Sequence, residues 1–186
     1  MTTSVGIRED EALAHAVAGD EAAFARIVAA HHVSMTKVAY LVCGDLDLAD
    51  EAVASAWVIA WRRIGTVRQP DRLGSWLASV AANEARQLTR RRRRRAIREI
   101  RIELGSDLGS PGYPAAADPA SLAPDFDLER ALARLDPDDR ALLALRYIAG
   151  LNATELGRAT GRSASGTRVR LARLLARLRM ELSDDD

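Results

Sequence analysis

Asn152 to Leu182 reads NATELGRATGRSASGTRVRLARLLARLRMEL, and this stretch predicts two helices joined by a tight turn. Asn152-Ala153-Thr154-Glu155 is a capping-box pattern: a short polar side chain accepts from the first free N–H groups, and a glutamate three residues on reaches back. The first helix is expected to run to Thr160 with Leu156 and Ala159 inward. Gly161 permits the turn. Ser163 is placed to cap a second helix to about Leu182, with Thr167, Leu171, Leu174 and Leu178 inward and arginines at 168, 170, 173, 177 and 179. A capped helix, a glycine turn and a capped arginine-rich helix make a helix-turn-helix. That geometry projects the first turns of the second helix into a major groove, where Ser163, Ala164, Arg168 and Arg170 reach base edges. Arginine pairs bidentately with guanine, so Arg168 is the leading base reader, while Ser163 and the free N–H groups beside it suit a phosphate oxygen. A helical hairpin with a merely solvated arginine face would explain the charge. It would not explain the two caps, the glycine and the leucine spacing together.

Upstream, Asp136-Pro137-Asp138-Asp139 opens another helix, with a capping aspartate, proline at the first helical position and acids at the positive end of the dipole. Leu142, Leu143, Leu145 and Ile148 form its core face and Gly150 ends it; Leu128, Leu132 and Leu135 line a short helix before it. Three helices are expected in the first half. The first spans 20–43, capped by Asp20, with Phe24, Ile27, Val28, Met35, Val38 and Val42 inward and Gly44 as its stop. The second spans roughly 48–63 behind an acidic entry from Asp45 to Asp50, with Val53, Trp57, Ala60, Trp61 and Ile64 on its apolar face. After a loop at 65–71 the third runs from about 72 to 95, with Leu73, Trp76, Leu77, Val80, Ala81 and Leu88 inward, and closes on six consecutive arginines, Arg90 to Arg95. Residues 96–103 extend or restart a helix. No strand pattern occurs. The fold class is all-α: two small helical domains, 10–95 and 126–182, the second a helix-turn-helix, joined by a flexible linker at 96–125. The linker carries most of the prolines and is apolar mainly through alanine. Its 29 residues from 96 to 124 reach on the order of 90 Å when extended.

The net charge of +1 conceals strong alternation. Residues 1–67 hold five basic and nine acidic side chains (−4), 68–103 eleven and four (+7), 104–139 two and eight (−6), and 140–182 nine and two (+7). Two basic helical blocks around an acidic spacer describe a chain that grips a polyanion at two points. The single cysteine, Cys43, rules out an internal disulfide and suits a reducing cytosol; on an apolar face it reads as inert core. The N-terminus is polar and acidic, unlike a signal peptide, and no apolar run approaches a membrane span, so a cytoplasmic protein with no membrane insertion is expected. His31 and His32 diverge by about 100° on a helix and His15 is remote. They suggest neither a metal site nor a base–nucleophile pair. With no glycine-rich phosphate loop either, no enzyme activity, cofactor, metal or small-molecule substrate is expected. Trp57, Trp61 and Trp76 read first as core residues.

These residues resemble a known family. LERALARLDPDDRALLALRYIAGLNATELGRATGRSASGTRVRLARLLARLR, from Leu128 to Arg179, looks like region four of sigma-70-type RNA polymerase sigma factors. GDEAAFARIVAAHH, GDLDLADEAVASAWVIAWRRI and DRLGSWLASVAANEARQLTRRRRR look like region two. Two such regions with neither region one nor region three resemble the extracytoplasmic-function (ECF) group, and the resemblance covers about three quarters of the chain. It implies a sigma factor that binds core RNA polymerase at the largest-subunit clamp helices and the flap, recognises minus-ten and minus-thirty-five promoter DNA, and is controlled by an anti-sigma factor. Asp47, Asp50 and Glu51 with Val53 and Trp57 match the clamp-docking segment. Trp76, Asn83, Arg86, Arg90, Arg91 and Arg92 match the part that opens and reads the minus-ten element, with Asn83 near a flipped base. Thr154, Ser163, Ala164, Ser165, Thr167, Arg168, Arg170 and Arg173 match the minus-thirty-five reader. The chain departs from the family at Ala54 and Ser55, where a Gln-Glu pair is usual, and at Gly166 and Thr167, where threonine and valine are more common. Two other readings stay open: a stand-alone helix-turn-helix regulator that dimerises through its N-terminal helices, and a polymerase- or anti-sigma-binding adaptor with weak DNA contacts.

Overall fold

The computed structural model describes the backbone of residues 3–103 and 126–183. Every regular element among them is helical. The eight α-helices are α1 (Thr3–Val17), α2 (Glu21–Cys43), α3 (Leu46–Arg63), α4 (Leu73–Glu103), α5 (Phe126–Ala133), α6 (Pro137–Tyr147), α7 (Ala153–Thr160) and α8 (Ala164–Ser183). Two 3-10 turns, Ile64–Thr66 and Pro70–Arg72, occupy the loop expected between α3 and α4.

The helix starts follow from their caps. Asp20 accepts from the N–H groups of Ala22 and Ala23 at 2.8 and 3.0 Å, and Asp45 accepts from Leu48 N–H at 3.1 Å, so α3 begins two residues before the expected position. Asp136 accepts from Asp138 and Asp139 N–H, each at 2.8 Å, with Pro137 at the first helical position. Gly44 ends α2 in the left-handed region (φ 69°), its N–H donating to the Tyr40 carbonyl at 2.8 Å.

Three differences from the sequence reading stand out. Helix α1 was not anticipated; its stripe of Ala12, Leu13 and Ala16 is short and mostly alanine, yet it is buried on the bundle, and Glu9 meets His31 Nε2 at 2.6 Å. Helix α4 does not close on the arginine run but continues through it to Glu103, taking the extension over 96–103 that the sequence left open and removing those residues from the expected linker, because nothing in 96–103 breaks a helix. The rest of the expected linker, 104–125, lies outside the described residues. Finally, Trp61, Leu128 and Ile148, expected inward, are exposed. Trp61 lies on the bundle surface with its ring against Phe24 (centroids 4.8 Å apart).

The core is built of small residues. Ala39, Ala49, Ala52, Ala56, Ala60, Ala78, Ala81 and Ala85 are essentially inaccessible between α2, α3 and α4, and Ile27, Met35, Val38, Val53, Leu73 and Leu77 fill the remaining space. Alanine at the crossings lets helices approach closely, which explains how a chain with few aromatics buries a continuous core. Helix α6 joins this core: Ala141, Leu142, Ala144 and Leu145 pack with the residues of α2 and α4. Its opposite side supplies Leu143 to a second cluster with Ala131, Leu135, Leu174 and Leu178 from the segments around it. Arg140 is carried into the first contact, over the C-terminal end of α2. It is 8% exposed and its Nε has no partner, while its Nη1 lies 3.3 Å from where a Cβ on Gly44 would sit. Burial pushes its pKa below the ordinary arginine value.

Candidate nucleic-acid interface

The helix-turn-helix forms as its caps require. Asn152 accepts from Thr154 and Glu155 N–H at 3.0 and 3.1 Å, and Glu155 Oε2 accepts from Asn152 N–H at 2.8 Å, completing the capping box. Gly161 makes the turn at φ 68°. Ser163 Oγ accepts from Gly166 N–H at 3.1 Å, capping α8. The backbone of the turn passes so close to α7 that a Cβ on Gly157 would lie 2.6 Å from the Arg162 carbonyl oxygen.

This arrangement sorts the expected base-reading residues. Thr154, Ser163, Ser165, Arg168 and Arg173 are exposed, Ala164 is half-buried, and Arg168 and Arg173 have no polar partner among the described residues. Thr167 is buried instead, its hydroxyl donating to the Ser163 carbonyl at 2.9 Å; it anchors the start of α8 and does not face DNA. Arg170 turns back toward α6, with Nε donating to Asp139 at 2.5 Å and Nη2 lying 3.4 Å from Asp136.

On α4, Trp76 and Asn83 line a cleft of about 660 Å³ whose other wall includes Leu151, Glu155 and Arg158 from the helix-turn-helix. Trp76 is only partly buried, so its indole borders solvent as well as core. Asn83 Oδ1 accepts from Arg86 Nη1 at 2.9 Å. Arg86 Nε and Arg90 Nη2 donate to the two oxygens of Asp138 at 2.6 and 2.5 Å. Arg92 donates to Asp45, whereas Arg91 is exposed with no polar partner among the described residues. The sequence reading overlooked Asp136, Asp138 and Asp139 as partners of these arginines. The −6 block between two +7 blocks is the one signal in the sequence that could have pointed to them.

The third group lies on α3. The carboxylates of Asp47, Asp50 and Glu51 are exposed and make no hydrogen bond or ion pair among the described residues. Val53 is 1% exposed, so it supports the helix from inside and cannot touch a partner directly. Trp57 is half-buried against Phe24 and donates Nε1–H to His32 Nδ1 at 3.2 Å. Cys43 is buried, and its thiol pKa is raised by that burial, in keeping with inert core. No group of three or more potential metal ligands occurs among the described residues, and none of their helices is long and apolar enough to cross a membrane.

Burial works against the charged form of Asp138. The Arg86 hydrogen bond and the charges of Arg86, Arg90 and Arg170 outweigh it and hold the carboxyl below the ordinary value of 3.8. Asp45 is held low too, first by Leu48 N–H and then by Arg92. A carboxylate depressed by folding contributes fully above its unfolded pKa and loses that contribution as pH falls through the folded value. The α4–α6 contact is therefore expected to hold from about pH 8 to 5 and to weaken only below about 4. Small-angle scattering across that range checks it. Expansion between pH 7 and 5 would assign the contact to another group.

The fold and these surfaces define a two-part helical DNA-binding protein: an arginine-rich helix on a bundle, and a helix-turn-helix. Residues 27–95 match the sigma-70 region 2 family and residues 125–178 the sigma-70 region 4 family. The ECF RNA polymerase sigma factor SigM of Mycobacterium tuberculosis is 31% identical over 90% of this chain and 81% of its own length. The probable RNA polymerase sigma factor RfaY of Xanthomonas campestris is 30% identical over 91% of this chain, which spans only 43% of that relative. The solved structure of CnrH in complex with the cytosolic domain of CnrY superposes with a TM-score of 0.67 at 25% identity, covering 96% of this chain and 99% of that one; CnrH is a sigma factor of Cupriavidus metallidurans. The chain belongs to the sigma-70 family of RNA polymerase sigma factors, in the ECF group. It is a sigma factor, serving RNA polymerase in transcription initiation.

Proposed function

We propose that this sigma factor divides its work among three surfaces. The exposed acids of α3, Asp47, Asp50 and Glu51, with the accessible edge of Trp57, dock on the clamp helices of core polymerase. Trp76 and Asn83 receive an unstacked base of the minus-ten element, while Arg86 and Arg90 to Arg92 track the backbone. The start of α8 enters the major groove of the minus-thirty-five element with Arg168 reading a base and Ser163, Ser165 and Arg173 holding the backbone. Residues 10–95 and 126–182 act as two domains on the polymerase, with the segment between them spanning the distance between the two elements and the flap supporting the second. An anti-sigma factor that covers these faces is the proposed means of control.

The observation that carries this reading is Arg168: exposed, unpaired among the described residues, and one turn past the Ser163 cap of α8, the helix that follows the capping-boxed α7 across the Gly161 turn. Run-off transcription with purified core polymerase tests the whole, since a sigma factor makes core polymerase start at defined positions and a stand-alone regulator or adaptor does not. Arg168→Ala is expected to cost roughly 1–3 kcal/mol at the cognate upstream element and to relax preference at one position. Neutralising Arg94 and Arg95 is expected to weaken all promoters alike and to flatten the salt dependence. If Arg168→Ala lowers binding to every sequence equally, Arg168 is a phosphate contact instead.

A further inference from the structure

One short acidic turn, at the start of α6, holds arginines from both helices assigned to promoter DNA. Arg86 and Arg90 of α4 share the carboxylate of Asp138, at 2.6 and 2.5 Å. Arg170 of α8 reaches Asp139 at 2.5 Å and Asp136 at 3.4 Å. A further bridge, Arg72 Nη1 to Glu155 Oε1 at 2.6 Å, ties the foot of α4 to α7 and closes α7 over the cleft that contains Trp76 and Asn83. We propose that the Asp136–Asp139 turn is an internal phosphate mimic, a latch whose Asp138 occupies Arg86 and Arg90 of the promoter-contacting α4 and keeps the free sigma factor off DNA until polymerase separates its two parts, while Asp136 and Asp139 fix Arg170 within the second part. This rests on the reading of α4 and α8 as promoter-contacting helices.

The chemistry makes the two states exclusive. A guanidinium presents its N–H groups in a fixed fork that suits a carboxylate or a phosphate, and the N–H groups already given to one are lost to the other. Arg86 Nε and Arg90 Nη2 converge on two oxygens of one carboxylate, as they would on two oxygens of one phosphate. The closed packing also blocks access, because one wall of the Trp76–Asn83 cleft is α7 itself. Several features keep the latch releasable. The pairs are partly exposed and therefore screened by salt. The packing of α6 on α2 also carries a buried charge, Arg140, whose Nε is unpartnered, so closure bears an opposing cost that opening relieves. Apparent DNA affinity is the intrinsic affinity multiplied by the fraction of molecules that are open, so a tenfold excess of the closed form lowers it about tenfold.

The test uses the full chain without polymerase. A fork-junction DNA, double-stranded upstream and single-stranded across the minus-ten element, is titrated by fluorescence anisotropy. Small-angle scattering gives the radius of gyration. Asp138→Asn/Asp139→Asn is expected to bind about tenfold more tightly than the wild type and to expand. Asp10→Asn/Glu11→Gln on α1 makes the same change in net charge, sets the size of the nonspecific effect, and is expected to stay compact. Glu155→Gln keeps a capping-box residue while weakening the Arg72 bridge, and is expected to shift both readouts the same way by less. If the aspartate variant gains no more affinity than the α1 control, or stays as compact as the wild type, the latch is overturned. If it loses its helical circular dichroism, Glu155→Gln decides: a gain in affinity beyond the control supports the latch and no gain overturns it. Run-off transcription by the wild type in parallel separates the two levels. Defined starts with no effect of the variants remove the latch and leave the sigma-factor surfaces standing. No initiation removes the promoter assignment on which the latch depends.

Discussion

Gly157→Ala is expected to destabilise the C-terminal helices by about 1–3 kcal/mol or more and to abolish selection of the upstream promoter element. A methyl group there would sit 2.6 Å from the Arg162 carbonyl oxygen and 3.3 Å from Ala164 N, and these are backbone atoms of the turn. A flexible side chain could swing away, but this backbone cannot. Arg162 N–H is bonded to the Gly157 carbonyl at 2.8 Å, and Gly161 holds the chain in the left-handed region directly before it. Relief therefore requires α7 and α8 to part, which moves Ser163 and Arg168 out of register with any groove. Thermal unfolding by circular dichroism reads the stability. Run-off transcription on promoters that differ only in the upstream element reads the selection. An unchanged melting temperature with full upstream selectivity would mean that the turn relaxes freely and that its close approach is incidental.

Reversing two charges on α3, Asp50→Lys with Glu51→Lys, is expected to raise the dissociation constant for core polymerase by at least about tenfold, which is about 1.4 kcal/mol. Like charges brought together across an interface cost several kcal/mol, and each substitution replaces an attraction with a repulsion. The structure makes this a clean experiment. Both carboxylates are exposed and have no partner among the described residues, so the fold loses no internal contact when they change. Val53, two residues on, is excluded from such a test because it lies in the core and its substitution would disturb packing. Circular dichroism should superpose on the wild type while binding to labelled core polymerase weakens. Equal affinity with an intact fold would place the docking surface elsewhere, with the exposed Ala54 and the half-buried Ser55 no longer needing an account as departures from the family.

Much of this architecture is determined locally, and the sequence by itself sufficed there. Asp20, Asp136, Asn152 and Ser163 are short polar side chains directly ahead of apolar periodic segments, and each caps the helix that follows it. A cap is an interaction across two or three residues, so it survives the passage from sequence to structure. The helix-turn-helix and the family followed from the same kind of local pattern. Burial was less secure wherever it depended on a distant element. Trp61, Leu128 and Ile148 have the right period but are left exposed, Trp61 with only the Phe24 ring against it, whereas Ala12, Leu13 and Ala16 have little apolar weight and are buried because α2 receives them. Thr167 reads equally as a groove contact or as a core residue, and only the position of the turn decides for the core.

Pairings of charge lie further still from what local pattern can tell. Alternating blocks revealed that acidic and basic segments existed, but an arginine at 86 or 90 finds an aspartate at 138 only after four helices have packed. The sequence by itself determined the family, the helices from α2 onward, most of their caps and the two basic faces, because these depend on spacing along one element. Only the tertiary structure decided that α6 enters the N-terminal core, that Arg140 is buried over the end of α2, and that one acidic turn holds arginines of both promoter helices. Those depend on which surfaces meet, and that is set by the fit of alanine-lined helices to one another and by no single residue.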